Sequence, residues 1–235
     1  MLTDEIEFKQ AESNLYESGM TSSKQHAHRL IIEIRKRILV DKKNIPRLGD
    51  LIHIAKSNAG SLILGQILFV YLYFSDEFVA HITDKLGDIF IANLGKPDIS
   101  RNEIKTLLIH YLQSKTVEPD KKTILNWIGK YLSIMREVNL LVRKKNNEYF
   151  LNFRGIQPET WIFFTLHAYF NNYGVADAEF LKAFQIKPVL LPKIIEQFSS
   201  VKSVIYKMVN DENDILDILV TTTYRKFNDW IADIK

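Results

Sequence analysis

Residues Lys121 to Phe153 read KKTILNWIGKYLSIMREVNLLVRKKNNEYFLNF, and two periodicities meet in them. Ile124, Leu125, Ile128, Leu132 and Met135 recur at helical spacing, which predicts one helix over Lys121–Val138 with these five side chains as its buried stripe. Beyond Asn139 the pattern shortens. Leu140–Lys144 and Glu148–Phe153 are two strand-like runs around Lys145, Asn146 and Asn147, and an Asn-Asn pair takes the positive φ values that a tight hairpin needs. Upstream, Ser100 stands in a capping position with Glu103 three residues later, and Ile104, Leu107, Leu108, Tyr111 and Leu112 follow at helical spacing. A loop over Ser114–Asp120, containing Pro119, separates the two helices. Helix, turn, helix, hairpin is the order of a winged helix.

Working outward, Ser22–Val40 has Leu30, Ile31, Ile34, Ile38 and Leu39 on one side and Arg and Lys on the other, an amphipathic basic helix. Asn44, Pro46 and Gly49 end it. Further helices are predicted over Asp50–Asn58, Gly60–Phe74 and Asp76–Asn93, and Gly95, Pro97 and Asp98 mark the close of an N-terminal bundle. After the central module, Pro158 opens an aromatic-rich helix running from Trp161 to Phe170, whose Trp161, Phe163, Phe164, Tyr169 and Phe170 read as packing rather than as a base-stacking surface. Ala178–Phe184 and Val189–Phe198 then read as short helices, Ser203–Val209 and Asp214–Val220 as an antiparallel pair, and Thr222–Ile234 as a closing helix. The expected fold is therefore mainly α. It has an N-terminal helical bundle (1–96), a winged helix-turn-helix (97–156), and a linker helix with a smaller α+β module (157–235) that repeats the winged-helix order in weaker form.

Composition narrows the function classes. The 235 residues are 46% hydrophobic, enough to build real cores, and include no cysteine, so neither a disulfide framework nor a thiolate zinc site exists. A reducing cytoplasm is the expected home. Met1–Gln10 carries three acidic residues and no apolar run, so an ordinary secretory leader is not expected. Ser61–Phe74 is the most apolar stretch, but a membrane span needs roughly twenty such residues, so a buried core helix is expected there and no membrane.

The net charge of +3 is unevenly spread. Between Lys24 and Arg47 stand Lys24, Arg29, Arg35, Lys36, Arg37, Lys42, Lys43 and Arg47 against only Glu33 and Asp41. A basic segment on a near-neutral body suits phosphate binding, since neutralised phosphates release condensed counterions; a solvated helix face is the plainer alternative.

In a helix-turn-helix the second helix lies in the major groove. On Lys121–Val138 the face away from the apolar stripe carries Lys122, Thr123, Asn126, Lys130 and Ser133, and Lys121 at the helix start is expected to be exposed and to bind nucleic acid with them. Asn pairs bidentately with adenine, Lys reaches guanine or phosphate, and Thr meets a thymine methyl group. Gly129, in the middle of this helix, costs about 1 kcal/mol relative to Ala, and close approach of another backbone, from nucleic acid or a neighbouring helix, would explain it. Arg143, Lys144 and Lys145 at the hairpin suit the sugar-phosphate backbone beside the groove. Winged helices also dock proteins, so nucleic-acid binding and a protein-interaction scaffold both stay open.

Signals of catalysis are missing from the sequence. Gly60 and Gly65 have the spacing of a phosphate loop, but Gln66 stands where the lysine must be. His26 and His28, two residues apart, point to different sides of a helix; His81 and Asp84 share a face with no third ligand nearby. Asp211, Glu212 and Asp214 cluster in what reads as a turn. No enzyme activity, metal, cofactor or small-molecule substrate is expected.

Three stretches together carry a family resemblance: Asn14-Leu15-Tyr16 through Ser22-Ser23-Lys24 to Arg35-Lys36-Arg37, then Leu51 to Phe90, then Ile124-Leu125-Asn126-Trp127 to Glu137-Val138-Asn139-Leu140-Leu141. In these the chain resembles the BrxA family of bacterial BREX phage-exclusion systems, over most of its length, most weakly before Glu12 and after about Gly174. The resemblance implies a small non-enzymatic defence component that binds double-stranded DNA and works beside a methyltransferase, an ATPase and other BREX proteins. That family has been likened to the helical RNA-binding antitermination protein NusB, which would concern the Ser22–Asn93 bundle and would make RNA the partner instead. No catalytic residue is inherited from it.

Overall fold

A helix with no charged residue has to be buried on several sides, and α1 (Ser61–Ser75) is such a helix: Ile67, Phe69, Val70, Tyr71 and Tyr73 are all buried. Asp76 ends it and starts α2 (Glu77–Ala92), its carboxylate Oδ1 accepting from the Phe78 and Val79 amides at 3.1 and 3.2 Å. In this computed structural model the described residues are 60–92, 98–116, 118–145, 148–176, 178–201, 204–210 and 215–234, with isolated positions ahead of Gly60. The chain divides into two compact units, Met1–Val40 and Asp41–Lys235. Of the helices expected over Ser22–Val40 and Asp50–Asn58 only single positions are described, among them Lys24, Arg29 and the buried Ile54, each helical. The described part is mainly helical, with two small antiparallel sheets.

The second unit continues with β1 (Asp98–Ser100), α3 (Arg101–Ser114), α4 (Lys121–Glu137), β2 (Leu141–Arg143) and β3 (Glu148–Leu151). The capping box forms as the sequence predicts: the Ser100 amide donates to Glu103 Oε2 at 2.7 Å and the Glu103 amide to Ser100 Oγ at 3.2 Å. Strand β3 lies between β1 and β2, antiparallel to both. Ile99 and Tyr149 pair across one junction and Leu141 and Leu151 across the other, and all four side chains are buried. β1 is a strand that the sequence does not announce, because its three residues follow Gly95 and Pro97 and gain their structure only from distant β3.

α5 (Pro158–Phe170) is the pillar of the C-terminal part: every residue from Thr160 to Ala168 is buried. Its aromatic run is core. The Trp161 ring lies 5.5 Å from Phe180, 5.4 Å from Phe198 and 5.9 Å from Tyr206, and Thr165 Oγ1 shares a hydrogen bond of 2.7 Å with the Tyr206 hydroxyl. Around it stand α6 (Phe180–Ala183), α7 (Leu191–Phe198), the meander β4 (Ser200–Val201), β5 (Val204–Asn210) and β6 (Ile215–Thr222), and α8 (Phe227–Asp233). The closing helix is shorter than expected: Thr222 ends a strand, and helix begins only at Phe227.

One buried amide joins these parts. Gln66, fully buried on α1, donates through Nε2 to the carbonyls of Val138 at 2.9 Å and Gly155 at 2.7 Å, and its Oε1 accepts from the Gln157 amide at 2.9 Å. It thus ties α1 to the end of α4 and to the start of α5. Gly155 is needed here, since a Cβ would stand 2.1 Å from the Asn139 carbonyl oxygen.

Candidate nucleic-acid interface

α4 begins at Asp120, whose carboxylate accepts from the Thr123 amide at 2.8 Å and from the Thr123 hydroxyl at 3.1 Å. The backbone donor of Thr123, then its hydroxyl, hold the Asp120 carboxyl below the usual carboxylate range. Thr123 is therefore half-buried and engaged in the cap, whereas Lys121, Lys122, Asn126 and Lys130 are exposed. The opposite side packs inward through Ile128, Tyr131, Leu132 and Met135.

Two expectations for this helix are corrected. Leu125, predicted to be buried, is 38% exposed. It stands at the border of the stripe, and Tyr131 takes the inward place instead, its hydroxyl sharing a hydrogen bond of 3.1 Å with Thr83 Oγ1. Gly129 admits no neighbouring helix among the described residues: none of their atoms lies within 4 Å of where a Cβ would stand. The sequence reading also missed Arg136, exposed and fourteen residues, close to four turns, after Lys122 on the same face. Helical spacing alone would have found it.

None of Lys121, Lys122, Lys130 and Arg136 takes part in an ion pair among the described residues, in contrast to Lys115 on Glu77 at 2.8 Å or Lys182 on Glu179 at 3.3 Å. The hairpin packs against α4 through β2. The Lys144 amide donates to the Glu148 carbonyl at 2.8 Å, closing the ladder, and Lys144 Nζ lies 5.4 Å from the centre of the Phe150 ring. Arg143, opposite Tyr149 in register, is exposed, as are Lys144 and Lys145; Asn146 and Asn147 lie outside the described residues. From Lys121 to Lys145 the chain holds seven cations and one acid, Glu137, which accepts from Ser133 Oγ at 3.0 Å. Such a surface attracts a polyanion and repels a copy of itself.

Of the basic residues expected in the first helix, Lys24 and Arg29 are exposed within the first unit, and Lys24 Nζ lies 5.5 Å from the Tyr16 ring centre. Arg35, Lys36 and Arg37 lie outside the described residues, as do His26, Asp211, Glu212 and Asp214.

The other polar cluster is a half-open cleft of about 760 Å³ between α2 and the segment after α6. His81 and Asp84 both line it. Asp84 Oδ1 accepts from the Tyr73 hydroxyl at 2.6 Å and from Gln185 Nε2 at 2.8 Å. Burial, then the Asp84 hydrogen bond, push the Tyr73 hydroxyl well above the usual phenol range. The lysines at its rim are occupied too: Lys85 and Lys187 lie 3.8 and 3.5 Å from Asp88. The Tyr73 hydroxyl, Asp84 Oδ1 and Gln185 Nε2 thus satisfy one another, whereas Gln185 Oε1 is buried with no hydrogen-bond partner among the described residues. Gln185 sits in the left-handed region, φ 56°, because it follows the end of α6, where the Ile186 amide returns to the Leu181 carbonyl. Among the described residues no three His, Asp or Glu side chains are grouped to hold a metal ion, and no single helix is long and apolar enough to cross a membrane.

No family model, curated protein or solved structure matches the chain.

Proposed function

We propose that residues 98–151 act as a winged helix that binds double-stranded DNA, with α4 in the major groove and the β2–β3 hairpin on the flanking backbone. The observation that carries this reading is the row of exposed cations that make no ion pair among the described residues, Lys122, Lys130 and Arg136 on the helix face of Asn126, with Lys121 exposed at the helix start. The order α2, β1, α3, α4, β2, β3 supports it, as does the sheet order β1-β3-β2, which sets a basic hairpin beside the second helix of the turn. The resemblance to the BrxA family supplies the setting: an accessory protein of a phage-defence system in the cytoplasm, acting by binding rather than catalysis and alongside other BREX proteins. The first unit, with exposed Lys24 and Arg29, would bind phosphates in its own right.

Replacing Lys121, Lys122 and Lys130 together by Glu tests the reading. All three are exposed, so circular dichroism and Tm stay near wild type, while the slope of log K against log salt for duplex DNA falls by about 3, one per lost phosphate contact. Unchanged affinity would remove α4 from the interface. A second reading, a scaffold for other proteins, is favoured by the solvent-facing side of β5–β6, where Ile205 and Leu219 are 46% and 52% exposed. Wild-type protein that fails to bind duplex DNA even at low salt would decide for it.

A further inference from the structure

Gly129 is the one position of α4 that works against the helix. Asp120 caps the start and Arg136 stands in the last turn, where a cation suits the helix dipole, yet a glycine occupies the middle although the space above it is empty. Alanine would fit there without touching anything. Among the described residues nothing uses the room above this glycine, so its use is sought in what approaches from outside. Charge identifies the partner: seven cations against Glu137 between Lys121 and Lys145 repel a second copy of the helix and attract a polyanion. Shape identifies which polyanion. An α-helix is about 10–12 Å across and the B-form major groove about 12 Å wide, whereas the A-form groove of RNA is too narrow to admit it.

Resting on the reading of α4 as the DNA-contacting helix, we infer that Gly129 is where α4 comes closest to the major groove of duplex DNA. The bare backbone there lets Asn126, one turn earlier on the same face, pair with N6 and N7 of an adenine. It also lets Leu125, 38% exposed beside it, meet the methyl group of a thymine. The site then prefers duplexes containing A·T pairs.

The experiment compares full-length wild type, Gly129→Ala, Asn126→Ala and the triple Lys121/Lys122/Lys130→Glu variant on short duplexes of mixed A·T pairs, of G·C pairs only, and of RNA. Tm and solution mass are measured for each protein. The inference expects Gly129→Ala to raise Tm by about 2–4 °C, the ordinary gain of alanine over glycine in an open helix position, while its affinity for the A·T duplex falls roughly tenfold. Asn126→Ala should keep its Tm and lose the preference for A·T over G·C. A stabilised Gly129→Ala protein that binds DNA as tightly as wild type overturns the inference and leaves the DNA reading standing, provided the triple variant is impaired. A triple variant that binds normally overturns both. Equal or tighter binding of the RNA duplex by wild type, or a dimer that Gly129→Ala converts to monomer, assigns the glycine to another partner and overturns the inference as well.

Discussion

Residues 98–151 and 178–222 are made of the same parts, two helices followed by an antiparallel strand pair, and they present opposite surfaces. In the first, the second helix is seventeen residues long and shows a cationic face, while the strands are of three and four residues. In the second, the helices shrink to four and eight residues, and the strands grow to seven and eight. α7 buries Leu191, Ile194, Ile195 and Phe198 and shows Lys193 beside Glu196. What the second module leaves in solvent is the strand face of Ile205, Lys207, Val209 and Leu219. The third strand differs too: β1 precedes its helices and pairs with the last strand, whereas β4 follows α7 and pairs with its immediate successor. Equivalent parts therefore present different surfaces. Among the described residues only the central module combines a long amphipathic helix with a basic hairpin beside it.

The C-terminal module depends on α5 for its core, and Trp161→Ala should break the comparison most severely. The cavity left among Phe180, Phe198 and Tyr206 is expected to cost about 3–5 kcal/mol in urea unfolding, with loss of amide protection concentrated in β5 and β6. A cost below about 1 kcal/mol would mean that these rings repack around the gap. Gln66→Ala comes next. It strips the Val138 and Gly155 carbonyls and the Gln157 amide of a buried partner, and roughly 2–4 kcal/mol should be lost. Because Val138 and Gly155 flank β2 and β3, hydrogen exchange should quicken in the central hairpin before it does in β5–β6. Equal quickening in both sheets would show that the two modules open as one.

What the sequence reveals of this fold is what local rules decide. Ser100 and Glu103 stand at capping-box spacing and make the capping box; the apolar period ending at Met135 delimits α4; Pro158 opens α5. Features set by distant partners stayed hidden. β1 is a strand only because β3 accepts it, and Gln66, read in sequence as a failed phosphate-loop lysine, is a clamp between segments more than seventy residues apart. Leu125 and Tyr131 were exchanged for a related reason. Periodicity marks a stripe, but the neighbours, here Thr83 on α2, choose which borderline residue turns inward. The cationic face of α4 was legible in Lys122, Asn126 and Lys130, whereas the emptiness above Gly129 needed coordinates.

The smallest effect sharpens the contrast between the two surfaces. Leu219 lies opposite Lys207 in the β5–β6 register with 52% of its surface in solvent. Leu219→Glu gives up little buried area and sets a carboxylate across from an ammonium, a cross-strand pair worth roughly 0.2–1 kcal/mol, so stability should stay within about 0.5 kcal/mol of wild type. DNA affinity should also stay unchanged, since this face has no part in the proposed interface. Leu125→Glu is the matching change on α4: equally mild for stability, because Leu125 is likewise part exposed, but expected to weaken duplex binding by setting a carboxylate next to Asn126. If Leu219→Glu instead lowers DNA affinity as much as Leu125→Glu does, the two modules act on nucleic acid together. If it alters the solution mass, the strand face of the C-terminal module is an interface in its own right, and the division of labour drawn from exposure holds in its strongest form.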